Sequence, residues 1–406
     1  MTRFDRLAWC QAAAAVVLLV PSLLRADGGY FYQTGQAANL AQTRQEALLA
    51  VHPGGDKVTY VVRNLYDGQA SQFAWVLPVP STPTDVVALD TSDLFDGLDA
   101  TTRPNFIINP TYTGGGVGCA CGCPITATQG GATSEIVHVE ASGQAGVYDW
   151  AALTSTGSGA LLDWLGANGY SVPTAAGPVL DGYIGQGMHF LAVRINENAA
   201  PTAGGQSEIP PIQFTVETTR RFYPMTISQI SSAAQTEVIL YLLAAHRAEA
   251  ANLANGLIDA KALIPDYNTS SHTNYEQLFM LKIAELGGLA LITEFASSDW
   301  EFPLTWTYTP ITLALLWTDA PADLDLQNRT YYLTRLRTLI PRDRMTQDFE
   351  FHDAAADTAV TNFFIVTEPS QASAAAAQSL MALAVAGLFC GVMRWSHRRP
   401  AAKSAS

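Results

Sequence analysis

The chain has 406 residues, 48% hydrophobic and 14% charged. That balance excludes a disordered chain and leaves room for one large core or two. It carries 22 basic and 36 acidic residues, an acidity that disfavours nucleic acid and anionic lipid headgroups as partners. With residues 1–26 and the basic tail after Met393 set aside, 15 basic and 35 acidic side chains remain, a net of −20.

Arg3 and Arg6 precede an apolar stretch, Leu7–Leu24, and Ala26 offers a small residue before Asp27. This layout predicts a secretory signal over residues 1–26. Leu24 is a mediocre residue for that cleavage site, so an uncleaved anchor is the second reading. Cys10 sits before the apolar region and is not placed for lipid attachment.

From Asp27 onward, strand-like runs alternate with turn signals. Ala47–Val51 and Val58–Leu65 flank His52-Pro-Gly-Gly-Asp56, which predicts a hairpin. Phe73–Leu77 is a short apolar strand stopped by Pro78, Pro80 and Pro83. Thr91–Ala100 reads as a helix capped at Thr91 or Ser92, with Asp93 and Asp96 where the helix dipole favours anions. A calcium loop using Asp90, Asp93, Asp96 and Asp99 is the sharper reading, but it wants ligands at alternate positions around a glycine turn.

Ile136–Glu140, Val147–Leu153, Met188–Ile195, Ile212–Thr218 and Met225–Ile230 are strand candidates, and Ala160–Leu165 is a short helix. Val238–Leu243 is continuously apolar, so it is a buried strand or a buried helix. Tyr275–Glu285 is helical, Trp300–Trp317 aromatic and extended, and Arg329–Leu339 and Phe363–Val366 are strands. The Pro/Gly/polar segment Asn198–Pro211 divides a β-rich half, residues 27–197, from a mixed half, residues 198–371; one continuous domain also fits.

Gly114-Gly-Gly-Val-Gly-Cys-Ala-Cys-Gly-Cys-Pro124 is the stretch with the most chemistry. Cys119, Cys121 and Cys123 are the exported cysteines, and three cannot all pair within one chain. One disulfide within the set is the leading reading in an oxidising compartment. Alternate spacing also offers three soft thiolates to Cu(I) or Zn(II), with His138 as a fourth ligand, although zinc sites usually come as two CxxC units. A reactive thiol is the third reading.

Metalloprotease HExxH, P-loop GxxxxGK and GxSxG signatures are absent from the sequence. Gly182-Tyr-Ile-Gly-Gln-Gly187 lacks dinucleotide spacing. His246-Arg-Ala-Glu249 and Glu350-Phe-His-Asp353 place carboxylates near histidines, an arrangement common among solvated pairs. Trp150, Trp164, Trp300, Trp306 and Trp317 read first as core packing.

The run Ala372–Met393 has 22 residues and no charge. At ~1.5 Å per helical residue it reaches about 33 Å, enough for a bilayer core of ~30 Å. Arg394, Arg398, Arg399 and Lys403 follow, which predicts a transmembrane helix over residues 372–393 with a cytoplasmic tail, 394–406. A buried C-terminal helix is the alternative. Gly387 and Gly391 form a GxxxG pair that lets two spans approach, so a homodimer is the partner this span suggests besides the membrane. Glu368-Pro369-Ser370 before the run also fits a sorting signal, in which case residues after about 370 are removed.

Phe73-Ala-Trp-Val-Leu-Pro-Val-Pro80, Asp93-Leu-Phe-Asp-Gly-Leu-Asp99, and Tyr332-Leu-Thr-Arg-Leu336 with Met345-Thr-Gln-Asp348 resemble a bacterial family of uncharacterised exported proteins, domain of unknown function 2330. The resemblance spans roughly residues 30–366. Members often open the mature chain with Cys-Gly-Gly-Phe-Phe-Cys; Asp27 and Tyr32 stand at those cysteine positions here, so a bridge there is absent. The resemblance implies a bacterial envelope protein and assigns no activity.

These features together predict an α+β fold: a β-rich mixed exported domain with short helices, plus one C-terminal transmembrane helix. The expected place is the bacterial inner (cytoplasmic) membrane, single-pass, with the bulk on the periplasmic side. The expected role is a binding or structural module without a catalytic motif; the alternative is a metal-binding or thiol-active protein using the CxCxC loop.

Overall fold

The computed structural model describes residues 30–33, 41–67, 73–89, 93–108, 137–168, 170–171, 173, 176–195, 207–208, 210–230, 234–300 and 312–366. The chain divides into two compact units. Of the described residues, the smaller unit takes 105–108, 259–279 and 363–366, and the larger takes the rest.

The larger unit is built on two main sheets, with strands numbered in chain order. The first runs β7 (Val137–Ala145), β8 (Tyr148–Ser155), β10 (His189–Ile195), β4 (Phe73–Val79), β1 (Tyr30–Gln33), β9 (Tyr170–Ser171). The second runs β16 (Ala254–Gly256), β17 (Ala290–Ser297), β18 (Tyr332–Pro341), β14 (Gln235–Ala244), β2 (Ala41–Val51), β3 (Lys57–Asp67), β12 (Ile212–Glu217), β5 (Thr84–Ala88), and β11 (Ser207–Glu208) also pairs with β3. It takes strands from both sides of residues 198–211. A third sheet orders β13 (Arg221–Tyr223), β19 (Phe349–Asp353) and β15 (Ala248–Ala250). The α-helices are α1 (Asp93–Thr102), α2 (Ser158–Ala167), α3 (Gly177–Ile184), α4 (Tyr275–Glu285) and α5 (Leu313–Leu316).

Side-chain alternation sets the layers. On β2, Ala47, Leu49 and Val51 meet Trp75, Leu77, Leu191 and Val193 of the first sheet. The residues between them, Leu48 and Ala50, face outward and pack under Leu94, Phe95 and Leu98 of α1 and Leu313 of α5. On the far side of the first sheet, Val76, Leu153 and Phe190 pack under Leu161 and Leu165 of α2 and Leu180 and Tyr183 of α3. The larger unit is thus a helix–sheet–sheet–helix stack, which fits the α+β class. Val238–Leu243 lies on β14 in the middle of the second sheet, with every side chain at 0% exposure. Both faces of this strand are covered, which is why its sequence is apolar throughout instead of alternating.

The hairpin at residues 52–56 forms as expected. His52 N–H donates to Lys57 O (3.0 Å) and Gly55 N–H to His52 O (2.8 Å). Gly55 sits at φ +71°, a left-handed conformation that favours glycine.

Three expectations change. Pro78 does not stop its strand: β4 continues to Val79, with Pro78 opposite Phe190 of β10. On the other side the described pairing of β1 reaches only Trp75, so among the described residues no strand on that side needs a donor from Pro78. Met225–Ile230 is not a strand, because Thr226–Ile230 is a 3-10 helix. The Asp348 carboxylate accepts from Thr226 N–H (2.8 Å) and the Tyr183 hydroxyl oxygen from Ile227 N–H (3.2 Å), so side chains take the donors a sheet would have used. The Trp300–Trp317 segment ends as helix α5, while residues 301–311 lie outside the described residues.

In the smaller unit, β6 (Asn105–Ile108) pairs in parallel with β20 (Phe363–Val366). Phe106 stacks on Phe364 (5.7 Å between centroids), and Tyr275, at the start of α4, closes the ring cluster at 5.3 and 5.9 Å. Among the described residues no helix is long and apolar enough to cross a membrane. Residues 1–26, expected as a secretory signal, and the apolar run 372–393 lie outside them.

Candidate functional site

The period-2 alternation that buries Leu48 under α1 places charged residues two positions away on the same face. Arg44 and Glu46 on β2, Arg63 on β3, Glu237 on β14, Glu294 on β17, and Arg335 and Arg337 on β18 meet Asp96 and Asp99 of α1. Glu46 is 0% exposed and Arg335 2%. Arg63 reaches Glu46 through Nε (2.8 Å) and Nη2 (2.6 Å), and Asp96 through Nη1 (2.6 Å). Arg335 donates to Glu294 (2.8 Å), to Asp99 (2.6 Å) and to the Tyr241 hydroxyl (3.0 Å). Arg337 bridges Glu237 (2.6 Å) and Glu294 (3.3 Å).

Each buried charge in this network meets an opposite one, which is the condition for burying it at all. Burial works against the Arg335 charge, but the Tyr241 hydroxyl oxygen, Glu294 and Asp99 more than offset it and hold the guanidinium protonated. Burial raises the Tyr241 hydroxyl above its usual range, so it stays neutral. With its groups spent on one another, the network is a polar core and offers no free acid or base. Asp96 and Asp99 serve arginines here, which explains their positions in α1 without calcium.

A half-open cleft of about 320 Å³ is lined by His52, Pro53, Gly54, Arg221, Arg329 and Tyr331, among others. His52 is 4% exposed. Its Nε2 lies 2.8 Å from Thr59 Oγ1, which lies 2.8 Å from Thr215 Oγ1. Its Nδ1 lies 3.0 Å from Asp323 Oδ2, within ion-pair distance but off the line of a good hydrogen bond. Burial opposes ionisation of Asp323, yet His52 and Lys57 hold its carboxyl below the usual value.

Thr59, His52 and Asp323 follow the order of a hydroxyl–imidazole–carboxylate triad. However, Thr59 is 0% exposed and its oxygen is engaged by Thr215, so no substrate carbon can reach it. The chain of contacts fixes the imidazole at the cleft wall. Arg221 pairs with Asp353, whereas the exposed Arg329 has no side-chain hydrogen bond or ion pair among the described residues. In the sequence His52 reads only as part of a turn; its partner Asp323 lies far along the chain at no informative spacing.

The residues singled out from sequence for metal or pairing are not placed by these contacts. Cys119, Cys121, Cys123, Gly387 and Gly391 lie outside the described residues. His138 is exposed on β7, and among the described residues no group of three or more His, Cys, Asp or Glu is placed to hold a metal ion. Trp317 is buried and donates from Nε1 to Gln213 Oε1 (2.6 Å), a core role. His246 pairs with Asp357, and Glu350 and Asp353 pair with Arg220 and Arg221.

A family described as uncharacterised protein conserved in bacteria (DUF2330) matches residues 26–352. The chain belongs to this family. No curated protein and no solved structure matches it. Asp99 of the Asp93–Asp99 segment and Arg335 of the Tyr332–Leu336 segment are hydrogen-bonded at 2.6 Å. Asp348, which ends the Met345–Asp348 segment, accepts from the Tyr183 hydroxyl at 2.6 Å. Trp75, Leu77 and Val79 of the Phe73–Pro80 segment lie between the two sheets. The residues that carry the resemblance therefore act in the scaffold.

Proposed function

We propose that this DUF2330 protein is an exported envelope protein, held by residues 372–393 in the bacterial inner membrane, that acts as a binding module through the cleft beside His52. The exposed Arg329 at that cleft carries the reading. The other arginines described above are neutralised within the fold, and this one is left to meet a ligand. With Arg329 as its unspent cation, the cleft suits a small anion, which a chain of net acidity would otherwise repel.

Two measurements test the proposal. Protease added to spheroplasts should digest the bulk of the chain while carbonate washing leaves its C-terminal part in the membrane. Digestion only after the inner membrane is broken overturns the export reading. Thermal-shift titration with succinate and inorganic phosphate as probes should raise the melting temperature, and Arg329→Ala should abolish the rise without changing the unliganded melting temperature. No rise with either probe overturns the anionic-ligand reading.

A further inference from the structure

The β6–β20 ribbon carries no charged residue on either strand, Asn105-Phe-Ile-Ile108 and Phe363-Phe-Ile-Val366. One of its faces is spent on the Phe106, Phe364 and Tyr275 rings. The other, which Asn105 shares opposite Phe363, is turned to solvent: Ile107 is 54% exposed, Phe363 60% and Ile365 67%, with Ile107 and Ile365 directly opposite each other. Exposed strand pairs in soluble proteins are usually protected by charges or by proline, and this one has neither. An apolar face of this kind fits a surface that covers it.

Chain length identifies that surface. Five residues, 367–371, separate Val366 from the apolar run that begins at Ala372. Fully extended, that connection reaches roughly 20 Å. The ribbon is thus held within a short tether of the bilayer at all times, whereas a second copy must first diffuse to it, so the effective concentration favours lipid. The chemistry also agrees. An uncharged face of two isoleucines, a phenylalanine and one asparagine suits the interfacial region of any bilayer and needs no anionic headgroup, which an acidic chain would avoid.

We propose that Ile107, Phe363 and Ile365 form a membrane-contacting face that seats the smaller unit on the lipid interface beside its own anchor. This rests on the anchored reading above.

The test is photocrosslinking in intact bacterial membranes, with benzoylphenylalanine replacing Phe363 in the full chain. The expected result is an adduct heavier by one phospholipid. The same group in place of Phe364, on the inner face, should give none. A crosslinked species of twice the chain mass, showing that a second copy covers the face, overturns the proposal. So does a crosslink to another protein, or no adduct from a chain that resists carbonate extraction. A chain that carbonate extracts fails at the anchor itself, which separates that failure from failure of the ribbon.

Discussion

Arg335 and Glu294 face each other at 2.8 Å, and each is only 2% exposed. They lie on neighbouring strands, where β17 shifts register between Thr293 and Phe295, so that Glu294 turns into the same layer as Arg335. Replacing Arg335 with Leu takes the 2.8 Å charge-assisted hydrogen bond from the buried Glu294 carboxylate. The expected loss is about 3–5 kcal/mol, the range for removing one partner of a buried ion pair. The double substitution with Glu294→Leu should lose less than the sum of the singles. Urea denaturation of the four proteins measures both effects.

The two carboxylates of α1 should differ. Asp99 is 22% exposed and meets Arg335, whereas Asp96 is 64% exposed and meets Arg63. Asp99→Asn is expected to cost about 1.5–3 kcal/mol, the range for a hydrogen bond to a charged group. Asp96→Asn should cost less than about 1 kcal/mol, as solvent screens that pair. Adding millimolar calcium should leave the melting temperature of the unaltered protein unmoved.

His246 lies 2.8 Å from Asp357, whose other oxygen accepts from Arg247 N–H at 2.8 Å. The hydrogen bond and charge of Asp357 raise the His246 imidazole above its ordinary value, and His246 with the Arg247 amide lowers the Asp357 carboxyl. The His246 contribution is complete at low pH and is lost as pH rises through its raised folded value. The Asp357 contribution is present above its unfolded value and is lost as pH falls through its lowered folded value. The turn should therefore be held best between about pH 4 and 6.5, the ordinary values of the two groups. Proton NMR should find His246 titrating above its usual range, and Asp357→Asn should return it there.

Gly55 tests the hairpin that builds the cleft wall. A side chain at this position meets no heavy atom within 4 Å, so only its φ of +71° opposes substitution. Gly55→Val should cost about 1–2 kcal/mol, the penalty of left-handed backbone, and Gly55→Asn less. The denaturation midpoint should fall while the slope stays constant.

Local chemistry made several elements legible. The turn residues of 52–56 announced their hairpin, the helical period marked Tyr275–Glu285, and the β-rich run Phe363–Val366 marked β20 with the same ends. Thr226–Ile230 is not legible because its apolar residues resemble a strand, while the groups that cap it, Asp348 and Tyr183, come from distant segments. Val238–Leu243 stays ambiguous in sequence because burial on both faces erases the period that separates strand from helix.

Taken alone, the sequence determined composition, the alternation of short strands with turns, and the family. Strand order was decided only in the tertiary structure. Asp99 finds Arg335 across 236 positions, and His52 finds Asp323, because the packed sheets bring β2, β3 and β18 beneath α1 and set the β2–β3 turn beside the segment that leads into β18. A charged residue in a sequence does not name its partner. That choice follows from which faces the sheets bury, and burial is a property of the whole fold.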